Sequence, residues 1–303
     1  MDSVVLLSGG TGGAKLARGL ADVCENLTVV ANTADDVEIY DVHVSPDPDL
    51  VTYWLADEID ERGWGLQGDT WRAMDALEAA GEPHWFRLGD RDLAMCRIRT
   101  ELLRDGATLT EAHAAVVEAL GVTARVLPMS DQPVTTWVTT RGRVLPFQEF
   151  MVAERAEGAI EAVELRGLQR ARPSDAVLQA VAEAEAIVIG PSNPVISIGP
   201  ILALPGMREA LRGAPAPVVA VSPFVGGRAV KGPTDAFCDQ AGIERSAAGI
   251  ARAYEDVIEG IVADEPAGGP AELVTNTVMD SPEARVRLAR EVLDFAASLH
   301  RTR

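Results

Sequence analysis

Apolar residues along this chain follow two rhythms. Val4–Leu7, Leu27–Ala31, Ala186–Ile189 and Val218–Val221 are short, unbroken β-branched or aliphatic runs. That is the pattern of strands buried on both faces of a parallel sheet. Between and after them the period changes. Ala14–Asp22, Val51–Arg62, Thr70–Ala80, Arg91–Asp105 and Leu109–Leu120 read as helices. Thr108 and Glu111 have capping-box spacing at the start of the last of these. Ser281–Leu299 reads as a closing amphipathic helix, with Ser281 as N-cap and Pro282 at the first helical position. Val134–Thr139 and Arg143–Phe150 alternate around Arg141-Gly142, which predicts a hairpin. Val257–Ala263 and Leu273–Val278 are further candidate strands. The sum is one α/β domain over 1–303: a doubly wound, mainly parallel core over about 1–40 and 121–303, and a mainly helical insertion over about 41–120.

Charge narrows what such a fold can bind. The 303 residues carry a formal net charge of −19. A chain of that sign repels nucleic acid and anionic membranes. Any phosphate must be held locally, by backbone N–H groups, a few Arg or Lys, or a metal ion. Cys24, Cys96 and Cys238 are far apart and odd in number, so they support neither a disulfide framework nor a zinc site. The start has no signal-peptide pattern and no stretch reaches transmembrane length, so the expected compartment is the cytoplasm.

The first strand ends in Ser8-Gly9-Gly10-Thr11-Gly12-Gly13-Ala14-Lys15. Four glycines in five residues are costly in chain entropy. They make sense where backbone N–H groups approach an anion at a helix N-terminus. Neither the Walker A ending nor the third glycine of the dinucleotide fingerprint is present. The turn therefore indicates a phosphate-sized anion without naming the nucleotide. Asp35 and Asp36 trail the second strand, and Asp47 and Asp49 follow within Ser45–Asp49. Two readings are equally open: hard oxygen ligands for Mg²⁺, or helix caps and Pro-Asp loop turns. Arg91, between Asp90 and Asp92, is either a solvated helix start or an anion contact. Gly190–Pro194 forms a rigid turn after an apolar strand, where Ser192 and Asn193 offer donors and acceptors to a ligand. His43, His84, His113 and His300 carry no readable role, and no nucleophile–base pair is readable.

In order along the chain stand SGGTGGAKL (8–16), NTADD (32–36), SPDPD (45–49), GWGLQGDTW (63–71), LGDRD (88–92), LPMSDQPV (127–134), FQEF (147–150), GPSNPVISIGPIL (190–202) and VSPFVGG (221–227). By this series the chain resembles the 2-phospho-L-lactate transferase (CofD/FbiA) family of coenzyme F-420 biosynthesis. The resemblance implies a Rossmann-like core. It also implies a magnesium-dependent transfer of a phospho-linked three-carbon acid from a guanosine diphosphate carrier to 7,8-didemethyl-8-hydroxy-5-deazariboflavin, with GMP leaving. The acid would be 2-phospho-L-lactate or a phosphoenolpyruvate-type relative. By the same resemblance Asp49 and Arg91 contact the deazaflavin. Asp36, Asp47 and Asp49 hold Mg²⁺, with Asp49 and Asp36 catalytic. Gly9, Gly10, Thr11, Gly12, Gly13, Lys15, Ser192 and Asn193 hold the nucleotide phosphates. A homodimer is the expected assembly. SPDPD has Pro48 where relatives usually have Leu. The competing readings are an NAD(P)-dependent oxidoreductase on the same fold, against which the missing third glycine stands, and a non-catalytic guanosine-nucleotide-binding regulatory module.

Overall fold

The computed structural model describes residues 1–229, 232–269 and 271–300, the side chain of His300 excepted. β1 (Ser3–Ser8) runs into α1 (Gly10–Ala21) and returns as β2 (Asn26–Ala31). A small antiparallel ribbon, β3 (Val37–Ile39) and β4 (Val42–Val44), leads to α2 (Pro46–Leu55), α3 (Arg72–Ala79), α4 (Asp90–Arg104) and α5 (Leu109–Ala119). After β5 (Arg125–Pro128), β6 (Thr135–Thr140), β7 (Arg143–Pro146) and β8 (Ile160–Arg166) form a separate antiparallel sheet. Strand–helix alternation then resumes. It runs through α6 (Asp175–Glu183), β9 (Ala186–Ile189), α7 (Ile198–Ala203), α8 (Met207–Gly213) and β10 (Val218–Val221). A two-stranded ribbon, β11 (Phe224–Val225) and β12 (Arg228–Ala229), precedes α9 (Thr234–Ala241), α10 (Ala247–Ala253), β13 (Gly260–Ala263), β14 (Ala271–Val274) and α11 (Pro282–His300).

The central sheet has the order β5-β2-β1-β9-β10-β13-β14, and every pairing in it is parallel. This is a Rossmann-like doubly wound α/β fold. Alternation along β1 divides the core. Val5 and Leu7 join Ile187, Ile189 and Ala220 under α6, α7, α8 and α10. Val4 and Leu6 join Val29, Val188 and Val219 under α1 and α11. Chain order reverses between β1 and β9, and their following helices lie on opposite faces. That opens a crevice at the carboxyl ends of the strands.

The hairpin and both caps form as their spacing predicts. Thr140 pairs with Arg143 across Arg141-Gly142. Thr108 accepts from Glu111 N–H, and Glu111 accepts from Thr108 N–H at 2.8 Å. Ser281 Oγ accepts from Ala284 N–H at 3.2 Å. Other boundaries move. The strand expected to Phe150 ends at Pro146, and residues Glu149–Ala153 wind into a π-turn. The helix expected over Val51–Arg62 starts instead at Pro46 and stops at Leu55. Pro46 and Pro48 sit in its first turn, where the missing N–H has no helical partner to lose. α2 also packs onto the core, placing Val51 and Trp54 beside the α1 residues Leu16 and Leu20.

Candidate active site

The crevice is a cleft of about 660 Å³. Its floor is backbone. A Cβ at Gly12 would lie 2.1 Å from the Pro191 carbonyl oxygen, so the turns after β1 and β9 touch as only glycine permits. Gly9 N–H donates to Ser192 Oγ at 3.3 Å. Gly9, Gly10, Thr11, Gly12, Lys15, Ser192 and Asn193 line the cleft; Gly13 lies beneath it, against Ser8 and Ser192. Lys15 Nζ donates to the Met279 carbonyl at 3.1 Å, tying α1 to the segment after β14. Asn193 Oδ1 accepts from Val195 and Ile196 N–H at 2.8 and 3.2 Å. Its Nδ2, though buried, has no hydrogen-bond partner among the described residues, nor does Thr277 Oγ1 in the same lining.

Two acids enter this floor. Asn32 Nδ2 lies 2.9 Å from Asp47 Oδ2 and 3.3 Å from Asp35 Oδ1. Asp47 Oδ1 accepts from Gly10 N–H at 2.6 Å, so one carboxylate already caps the positive end of α1. Gln148 Nε2 donates to the Asp35 carbonyl at 2.9 Å. Burial pushes the Asp35 carboxyl well above its usual range, and the neighbouring Asp47 charge adds to the shift. Burial likewise raises Asp47, to about 6, against the opposing bonds from Asn32 and Gly10. A buried pair of acids sharing one amide is a site with excess negative charge and hard oxygen donors. It fits a divalent cation such as Mg²⁺.

Asp36 and Asp49 are arranged differently from the expectation. Asp36 is held 2.9 Å from His43 Nε2 and accepts from Ser45 Oγ at 2.7 Å. Both oxygens of Asp49 are taken by Arg99, at 2.6 and 2.8 Å. Arg99 is 0% exposed. His113 Nδ1 lies 3.9 Å from Asp49, and Tyr53 donates to Asp92 at 2.5 Å. Neither Asp36 nor Asp49 is among the cleft's lining residues. Asp49, Asp92 and Cys96 do offer ligand atoms within 4.8 Å of one another. Asp49 is already neutralised there by Arg99, and burial pushes the Cys96 thiol up, so this trio suits a hard cation less well than Asp35 and Asp47 do.

Arg91 is also away from the cleft lining. Its NH1 donates to the Gln67 carbonyl at 2.7 Å and to Glu58 at 3.2 Å. Its neighbours do structural work. Asp69 accepts from the N–H groups of Arg91 and Asp92 at the head of α4, and Asp90 accepts from those of Arg72 and Ala73 at the head of α3. Asp35, noted beside Asp36 in the sequence, belongs to the site region, as do Asn32, Trp64, Phe147 and Thr277, which were not singled out. The carboxamide of Asn32 three residues before Asp35 was the available signal. Histidines without a readable role prove integral: His43 to Asp36, His113 to the Arg99–Asp49 pair.

The profile of the family described as 2-phospho-L-lactate transferase CofD matches residues 4–290. A 2-phospho-L-lactate transferase of Methanosarcina mazei is 42% identical over 265 residues, 86% of this chain and 87% of that one. A phosphoenolpyruvate transferase of Kitasatospora aureofaciens is 39% identical over 312 residues, 97% of each chain. A solved structure of a UPF0052 family protein from Bacillus halodurans shares the fold, with a TM-score of 0.61 at 18% identity over 97% of this chain and 100% of that one. Cleft, sheet order and motif series thus converge with extended sequence identity, and the chain belongs to the CofD family of 2-phospho-L-lactate transferases, enzymes of coenzyme F-420 biosynthesis.

Proposed function

We propose that this transferase moves a phospho-linked three-carbon acid from a guanosine diphosphate carrier to the terminal ribityl hydroxyl of 7,8-didemethyl-8-hydroxy-5-deazariboflavin, releasing GMP. One observation carries the reading: two amide-rich turns and a pair of buried acids meet in a single cleft whose remaining wall is apolar. The amides suit a diphosphate and the apolar wall suits a flat ring. Asp35 and Asp47 would hold Mg²⁺, which when bound offsets charge on the diphosphate oxygens. The N–H groups of Thr11 and Gly12, in the first turn of α1, are free of helical partners and face developing phosphate charge. Ser192 and Asn193 hold the opposite side of the nucleotide. Asp36 and Asp49 act as positioning residues behind the floor, through His43 and Arg99. A loose phosphoryl transition state needs little base assistance, so alignment and electrostatics supply most of the rate.

The test is mass spectrometry of the deazaflavin after incubation with the lactyl, enolpyruvyl and glyceryl donors, with Mg²⁺ and with EDTA. A phosphodiester product and GMP are expected with at least one donor, and neither with chelator. Asp47→Asn should lower turnover by about a hundredfold. An unmodified deazaflavin with all three donors would remove the assignment.

A further inference from the structure

The rim of the cleft holds a side chain that ordinary packing does not explain. Trp64 lines the cleft yet is 52% exposed. It sits at the tip of a loop with a stapled base. An isolated bridge joins Ile59 to Leu66, Gln67 N–H donates to the Glu58 carbonyl at 2.7 Å, and Asp60 N–H donates to the Gly65 carbonyl at 3.0 Å. Leu66, 1% exposed, anchors that base in the protein. Gly63 and Gly65, on either side of the indole, have φ of +82° and +75°, so the chain turns sharply around it without steric cost. The Arg62 guanidinium lies 4.6 Å from the Trp64 ring and 5.1 Å from the Trp71 ring, and its Nε is fixed by Asp60 at 2.5 Å.

This indole is backed by a tethered cation and fronted by a cavity. It forgoes the burial that normally stabilises so large a ring. A second flat ring laid against it would recover that burial. Two flat rings enter the proposed reaction. Guanine carries hydrogen-bonding groups around its edge and suits the unpartnered donors Asn193 Nδ2 and Thr277 Oγ1. The tricyclic deazaflavin is the larger ring and gains more from stacking, and Phe147 and Met151 lie in the same lining to complete an apolar slot. We propose that Trp64 is the stacking platform for the deazaflavin ring and sets the preference for a flat polycyclic alcohol as acceptor. The proposal rests on the function proposed above.

The experiment compares the wild type with Trp64→Ala and Trp64→Phe, measuring KM for acceptor and donor separately alongside the sedimentation behaviour of each protein. Because the Trp64 side chain is half exposed, its removal leaves the core untouched, and circular dichroism checks that the fold is kept. Trp64→Ala should raise the acceptor KM about tenfold or more, as expected for loss of one stacked ring. Donor KM should stay within about twofold by the same reasoning, and Trp64→Phe should recover most of the acceptor affinity. An unchanged acceptor KM in Trp64→Ala overturns the platform. So does a rise confined to donor KM, which would put guanine on the indole, or a change in self-association alone, which would make the loop a contact between copies. If the wild type itself neither binds nor consumes the deazaflavin, the proposed reaction fails, and the platform with it.

Discussion

At the scale of single residues, the most consequential fact is that Asp47 and Asp49 face opposite ways. Two positions along an α-helix turn the side chain by about 200°. Once α2 begins at Pro46, Asp47 reaches the glycine turn and Asp49 must point to the layer behind, where Arg99 and His113 receive it. That buried layer has a titration consequence. Burial lowers the His113 pKa to about 4, with the nearby Arg99 charge acting in the same direction and Asp49 opposing. The unfolded chain, with His near 6.5, therefore takes up its proton first as pH falls. Stability from neutral His113 is complete above about 6.5 and is lost progressively toward about 4. Urea unfolding of the wild type and His113→Asn should show the wild type's advantage shrinking by about 2–3 kcal/mol between pH 7 and pH 4.5. A pH-independent difference between the two would mean His113 is not kept neutral by the fold. None of this was legible in the sequence, because the partners of His113 stand 14 residues away at Arg99 and 61 at Thr52, and neither separation carries a local pattern. The glycines and the Ser192-Asn193 turn were legible because their composition is itself unusual.

At the scale of elements, local chemistry was a good guide where an element is defined by its own ends. The capping box at Thr108, the Ser281-Pro282 start and the Arg141-Gly142 hairpin all rest on short-range bonds. The guide failed where neighbours decide. Pro46 and Pro48 look like loop residues until one sees that both occupy a first helical turn. β8, mostly exposed and with an irregular apolar pattern, is a strand because β6 pairs with it from Thr135↔Arg166 to Thr140↔Ile160, with one register shift between Thr139 and Thr140. The same dependence on neighbours governs the turn between β1 and α1. Gly12→Ala puts a methyl 2.1 Å from the Pro191 oxygen, where backbone faces backbone and no side chain can swing away. The variant should lose about 2–3 kcal/mol of stability by strain and bind nucleotide more weakly. Thermal unfolding with and without GDP measures both, and an unchanged Tm with normal ligand stabilisation would show that the two turns do not in fact press together.

At the scale of the whole molecule, the alternation of strands and helices that builds the central sheet is displayed plainly by the apolar runs, while in the separate β6–β8 sheet only the β6–β7 hairpin was announced and its third strand, β8, was not. No helix among the described residues is long and apolar enough to cross a membrane. The net charge of −19 acts at this scale too. An anionic donor approaches against a repulsive field, which salt screens as the Debye length falls from about 30 Å at 0.01 M to about 10 Å at 0.1 M. Donor kcat/KM at fixed Mg²⁺ should therefore rise a few-fold over that range, by the same screening. A steady fall would indicate that local cationic groups, not the global charge, steer the encounter.

Because the bottom of the cleft is main chain pressed on main chain, its width cannot be retuned by exchanging side chains. Variation among enzymes of this type, whose relatives carry names as different as phospholactate and phosphoenolpyruvate transferase, would then have to be written in the surrounding walls. An engineer wishing to change the cargo should leave Gly12 and Pro191 untouched and randomise the rim.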